Sequence, residues 1–287
     1  SLINRASDGD MIFLEPGLYF QSFVLDRNLV LRGAHRKNTI VMLGEGSCVE
    51  SNTVSAVITS VAMNSPAGRS EFASDPTIVV RSGRLKMVNC DIHAGAGVHT
   101  HEGGQADLAE CDICTGSVCY SGQGELSNCT MMNVGAATQQ KGMAVQFRYG
   151  HSRMQNCVIS ARNATVGVCI SKEASGDIKG CAIAAKEVGV SVKGPNECSV
   201  QASRIESCIQ AGVQVEGKVQ LHLEECEMMN NGSGILAHKW SKPELQGCRL
   251  IDRSRIRSRI SFDGCSLSQN TRCSLETINS GIVKTWR

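Results

Sequence analysis

The stretch LAECDICTGS at 108–117 carries Cys111 and Cys114 in a C-x-x-C spacing. Two thiols so spaced can form a redox pair, or supply half of a tetrahedral zinc site. Asp91 and Asp112 offer a second chemistry, each directly following a cysteine in NCDI and ECDI. Brought together, two carboxylates can share a proton or bind a cation. His99 and His101 add two imidazoles in GVHTHEG. Finally, RLIDRSRIRSRISF at 249–262 places Arg253, Arg255, Arg257 and Arg259 at every second residue. On a strand, four guanidiniums would share one face. Such a row can clamp an acidic segment or a phosphate-bearing partner.

What must position these groups is a repeat. The pattern apolar-x-x-Cys-x-apolar occurs as MVNCDI (Cys90), LAECDI (Cys111), LSNCTM (Cys129), MQNCVI (Cys157) and IKGCAI (Cys181). It continues as LEECEM (Cys226), LQGCRL (Cys248) and FDGCSL (Cys265). VQASRI, with Ser203, and ITSVAM, with Val61, replace the cysteine. Between the copies lie short alternating segments such as GVHTHEG, GVCISK, GVSVKG and GVQVEG. Period-two alternation marks half-buried strands, and no segment shows a sustained helical period. Two strands and a turn-like piece per repeat describe one coil of a parallel β-solenoid. Such coils bury their apolar faces only by stacking. The expected fold is all-β: a single domain over 1–287, a right-handed parallel β-helix of about ten coils, with stacking at about 4.8 Å per rung.

The ladder decides the C-x-x-C question. Cys111 is a rung, Cys114 lies just past the strand, and no second C-x-x-C exists to complete a zinc site. Stacked cysteines have near-parallel Cβ vectors, which disfavours bridging. A buried free thiol packs as a small hydrophobe. Many unpaired cysteines imply a reducing, intracellular compartment.

Composition narrows the function classes. The net charge of +2 gives no strong attraction to nucleic acid or to an anionic membrane. No apolar run approaches the length of a membrane span. Aromatics make up 4% of the chain, which leaves few stacking faces for sugars. The opening SLINRASDGD has neither an apolar signal core nor an initiator Met, and reads as part of a longer chain.

The opening coil adds a resemblance. DGDMIFLEPGLYFQSFVLDRNLVLRGAHRKNTIVML resembles the first coil of right-handed parallel β-helix proteins of the pectin-lyase-like superfamily. Its marks are DGD-x-I, P-G-x-Y, an alternating strand, L-x-G and T-I-V. The rungs are similar to the I-x-x-N-x-I repeats of that superfamily, with Cys where Asn is common. These motifs cover residues 7 to about 270. The superfamily includes polysaccharide lyases, glycoside hydrolases, pectin methylesterases and alginate epimerases. It also includes non-catalytic F-box receptors and Shc-binding spindle proteins. The order of features looks most like the intracellular, non-catalytic members. In the esterase signature G-x-Y-x-E, Gln21 stands in the Glu position, and YGHSR at 149–153 does not match the hydrolase G-H-G.

The leading expectation is therefore a non-catalytic scaffold or protein-recognition module with a protein partner, no nucleic acid, no cofactor and no metal. Its contact surface would be Arg253, Arg255, Arg257 and Arg259, or corner loops at 64–77 and 133–143. A mixed, uncharged outer column (His99, Cys119, Gln146, Cys169, Ser191, Gln214, Leu236) reads as a further contact face. The alternative is a carbohydrate-active enzyme or sugar-binding protein, for which Asp91 and Asp112 are the catalytic candidates. No basic residue is evident beside that pair.

Overall fold

The computed structural model describes residues 3–42, 47–65, 76–94, 97–114, 116–132, 142–237, 241–251, 255–256, 261–267, 272–273 and 284–285. The chain divides into two compact units, Ser1–Gln140 and Lys141–Arg287. Each is a stack of parallel strands, and the one described helix is a 3₁₀ turn at Ile3–Arg5.

In the first unit each coil contributes three strand pieces rather than two and a turn. One column begins at Met11–Leu14, pairs with Val30–Gly33 and then with Ser55–Thr59. A second runs Gly17–Tyr19, Thr39–Met42, Ala62–Ser65, Asp91–Ala94, Asp112–Cys114 and Thr130–Met132. The third starts Phe23–Leu25 and Val49–Ser51. At Ile78–Val88 and Val98–Ala109 a single long strand runs through the third column into the first, and Val118–Tyr120 and Gln123–Ser127 divide it again. The second unit repeats the plan with Met143–Gln155 and Val166–Lys179 as its long strands. Inward positions are filled by Val, Ile, Leu and Met, including Ile58, Leu85, Met87 and Leu108 in the first unit and Val190, Val213 and Leu223 in the second. Each such side chain contributes about 1.5–3 kcal/mol by leaving water. Only stacking provides the partner surface.

The cysteine rungs carry a local device. The residue before each rung has a left-handed backbone: Asn89, Glu110, Asn128, Asn156, Ala202 and Glu225 at φ between 46° and 55°, and Gly180, Gly247 and Gly264. This turn brings the next side chain back over the chain. Each thiol then donates to the carbonyl two residues earlier: Cys90 to Val88, Cys111 to Ala109, Cys157 to Gln155, Cys181 to Lys179 and Cys248 to Gln246, at 3.2–3.4 Å. The exceptional rung shows what is required. Ser203 makes the same bond to Gln201, at 2.7 Å. The turns also knit coils together, as the Glu110 amide donates to Ser127 and the Ala202 amide to Glu224.

Cys111 is fully buried, whereas Cys114 is the last residue of its strand, half-exposed on the opposite side. The C-x-x-C pair therefore diverges. It was expected just past the strand; the strand extends to include it. The fourteen cysteines from Cys48 to Cys265 are free thiols. Burial pushes the Cys48 thiol up to about 11 and that of Cys198 up to about 12. At Cys248 the thiol hydrogen bond with Cys226, together with burial, raises it to about 12.

Glycine is demanded at a few close approaches. A Cβ on Gly33 would strike the Ser60 carbonyl of a neighbouring rung, and one on Gly124 would strike the buried Tyr120 ring. Tyr19 holds the opening turn by donating from its hydroxyl to the Glu15 carbonyl at 2.8 Å.

Three outcomes follow. Ala202→Gly should raise stability by about 0.5–1 kcal/mol, since a left-handed alanine is more strained than glycine is costly to order; an unchanged or lower urea midpoint would refute the turn's strain. The raised thiols, Cys48, Cys198 and Cys248 among them, hold protons that the unfolded chain loses above the ordinary thiol value of about 8.5. Stability should therefore hold below that pH and fall as pH rises beyond it. A thiol reagent at pH 8 should titrate Cys114 before the thirteen buried cysteines in the native protein, and all 15 only after denaturation without reductant.

Candidate functional site

Within the first unit, Asp91 and Asp112 are register partners on adjacent rungs, as their positions after the cysteines require. They are not free. The turn after Val30–Gly33 is closed by the His35 carbonyl, which accepts from the Asn38 and Thr39 amides at 3.0 and 2.9 Å. Arg36 projects from this turn across the strands. Its Nη1 lies 3.2 Å from Asp91 and its Nη2 3.1 Å from Asp112. The expectation that no basic residue stands beside the pair is thus corrected. Arg36 is remote in sequence, and only the packing of the turn onto later coils brings it there. One guanidinium bridging two carboxylates offsets one of their two negative charges and occupies the space that a cation would need. Asp91 Oδ1 is sealed from water with only this ionic contact. His99 and His101 lie on a different strand from the acids; His101 is exposed and His99 half-buried. Among the described residues no three His, Cys, Asp or Glu side chains are grouped to hold a metal.

The expected uncharged outer column forms in the expected register, with His99 beside Cys119, Cys169 beside Ser191, and Gln214 beside Leu236. It is not an open face. Cys119, Cys169 and Ser191 are buried, because small side chains stacked at rung spacing shield one another. Of the arginine row, Arg255 lies on a strand in the column of Leu236. Arg253, Arg257 and Arg259 lie outside the described residues, as do most of the 64–77 and 133–143 loops.

The second unit holds a site that the sequence did not announce. A depression of about 300 Å³ is lined by Arg153, Met154, Gln155, Asp177, Ile178, Lys179, Ser199 and Gln201. Its floor is the outer face of the long strands. Inward Met154, Ile178 and Val200 alternate with outward polar residues, so register creates two polar columns. The first runs Arg153, Asp177, Ser199, His222, Glu244. It is largely satisfied internally. His151 approaches Ser175 Oγ through Nδ1 at 2.9 Å and Asp177 through Nε2 at 3.0 Å. Arg153 Nε stands 3.7 Å from Asp177, and His222 is 3.6 Å from Glu244. The second column runs Gln155, Lys179, Gln201, Glu224, Gln246. None of these five side chains has a hydrogen-bond or ion-pair partner within the described residues. YGHSR at 149–153 holds two of the site's residues, although it matches no hydrolase motif. The missed signal was the i, i+2 spacing of polar residues shared by Arg153/Gln155, Asp177/Lys179 and Ser199/Gln201.

The serine–imidazole–carboxylate line invites comparison with a hydrolytic triad. Two features weigh against it. The amides of 151–155 and 175–179 belong to a parallel ladder, which leaves them unavailable as oxyanion donors. His151 and Asp177 are also 42% and 48% exposed, so water is not excluded.

These features define a class. The chain matches the family model described as right handed beta helix region over residues 115–282, and it belongs to that family. No curated protein matches it in sequence. Among solved structures it is similar to the Azotobacter vinelandii mannuronan C-5 epimerase AlgE4 A-module, at 12% identity and a TM-score of 0.54. That match covers 98% of this chain and 88% of the module. It is also similar to ORF18 of Geobacillus virus E2, at 12% identity and a TM-score of 0.52, covering 99% of this chain and 56% of that one. At such identities the likeness is one of fold. Among the described residues no helix is long and apolar enough to cross a membrane.

The Arg36 clamp makes a test. Arg36→Gln should cost about 1–3 kcal/mol, because it leaves two half-buried carboxylates facing each other. Adding Asp91→Asn should recover part of that loss in a double-mutant cycle. Additive losses would mean that Arg36 acts through packing alone.

Proposed function

We propose that the chain is a non-catalytic recognition module that binds a protein partner through the outer face of the second unit's long strands. One observation carries this reading: five consecutive rungs present polar side chains with no partner of their own, beside a column that is already paired. At about 4.8 Å per rung they extend over about 19 Å of rigid backbone. Unpaired, pre-positioned donors and acceptors cost little to order on binding. The arginine positions 253, 255, 257 and 259 would extend the contact, and the thiol content fits a reducing, intracellular setting.

The second reading is a carbohydrate-active or sugar-binding protein. It is favoured by the depression with its His151–Asp177 pair, and by the epimerase named among the similar structures. The clamped state of Asp91 and Asp112 disfavours those acids as its catalytic pair.

Purification of the tagged protein from its native cells should yield a stoichiometric protein partner. Gln155→Glu with Gln201→Glu, changes at one exposed and one half-buried surface position and worth little in stability, should release it. Retention of the partner by this variant, or a bare monomer from the wild type, would sink the proposal.

A further inference from the structure

We infer that the group recognised in the depression is an anion on an extended acidic segment of the partner, held between Arg153 and Lys179. This deepens the recognition reading and rests on it. The two cations lie on adjacent strands in neighbouring columns, since Arg153 pairs in register with Asp177 and Gln155 with Lys179. Lys179 is exposed and makes no ion pair among the described residues. Arg153 is 67% exposed and turns only its Nε toward Asp177, at 3.7 Å, beyond hydrogen-bond distance. Its two Nη groups therefore remain for a forked contact with a carboxylate or phosphate.

Asp177 does not cancel this pair of cations. Its Oδ2 is already engaged by His151 Nε2 at 3.0 Å, so its charge is shared between imidazole and guanidinium. Around the two cations stand Gln155, Ser199 and Gln201, neutral side chains able to donate without adding negative charge. Glu224, an acid with no partner among the described residues, lies beyond Gln201 in the same column. It sets a boundary: an anion is welcome at the Arg153 end and repelled at the Glu224 end. An extended segment is the suitable ligand, because the floor is a flat strand face and not an enclosed pocket.

The arrangement also makes an asymmetric prediction. Asp177 competes with any incoming anion for Arg153, so removing its charge should tighten binding. Removing either cation should weaken it.

The test uses the full chain and a fluorescein-labelled decaglutamate peptide, followed by anisotropy at low and at physiological salt. The wild type should bind, more weakly as salt rises. Arg153→Gln combined with Lys179→Gln should lower affinity by about tenfold or more. Asp177→Asn should raise it a few-fold, and Lys242→Gln, distant on the same sheet, should leave it unchanged. Denaturation midpoints will show that each variant is folded. Equal binding by the double variant, or weaker binding by Asp177→Asn, would overturn the proposal. If the peptide fails to bind while Gln155→Glu with Gln201→Glu still releases the native partner, the acidic ligand is wrong and the recognition reading survives. If an acidic oligosaccharide binds with the same dependence on Arg153 and Lys179 while the peptide does not, both readings fail together.

Discussion

The structure depends on one local constraint, a left-handed residue followed by a side chain that can sit in the corner it makes. A parallel coil must turn sharply between its strand columns without leaving a buried carbonyl unpaired. At the cysteine rungs the turn is made by one residue of positive φ, and the following thiol returns to the carbonyl two residues back. In several rungs the same sulfur also meets the carbonyl of the coil before, as Cys129 meets Leu108 and Cys226 meets Val200. Cysteine suits the place because it is small, apolar enough to stack and still a weak donor. Serine satisfies the bond at position 203, and valine satisfies only the packing at 61. The requirement is thus geometric first and chemical second.

Because the turn repeats, register follows, and register makes surface chemistry. Residues two apart along a strand, and residues one repeat apart along the chain, become neighbours on one face. A sequence with scattered charges thereby acquires columns. In the first unit this brought Asp91 to Asp112, and a turn from an earlier coil supplied Arg36 to bridge the two. In the second it gave one column of ion pairs and one of unpaired amides and charges. The contrast between the two acid-bearing faces matters more than the number of charges on either.

Much of the fold was legible before any coordinates. The spacing of the cysteines located the rungs, alternation located the strands, and the Asp91–Asp112 pairing follows from counting one residue past each cysteine. Four things were not. The predominance of Asn and Gly before the cysteines encodes the left-handed turn, but it is visible only once the turn is suspected. Arg36 lies 55 residues from Asp91, and no repeat arithmetic relates a turn to a strand of a later coil. Exposure was misread for the column of Cys119, Cys169 and Ser191, because alternation gives the side of a strand and not what covers it. The Arg153–Gln201 depression carries no motif at all: its residues lie on separate coils, and only register brings them together.

The same ladder that makes such faces also limits what they can do. In a parallel sheet the amides are consumed by the neighbouring strand, so a solenoid face offers side chains and little else. Chemistry at a carbonyl or phosphoryl centre needs donors aimed at developing charge and a site closed to water. The His151–Ser175–Asp177 line has neither, for all its resemblance to a triad. Binding makes lighter demands: spaced, unpaired groups on a backbone that does not move. Gln155, Lys179 and Gln201 meet them because their inward neighbours Met154, Ile178 and Val200 are locked in the core. The rigidity that stacking confers and the recognition it permits have a common origin in those alternating residues.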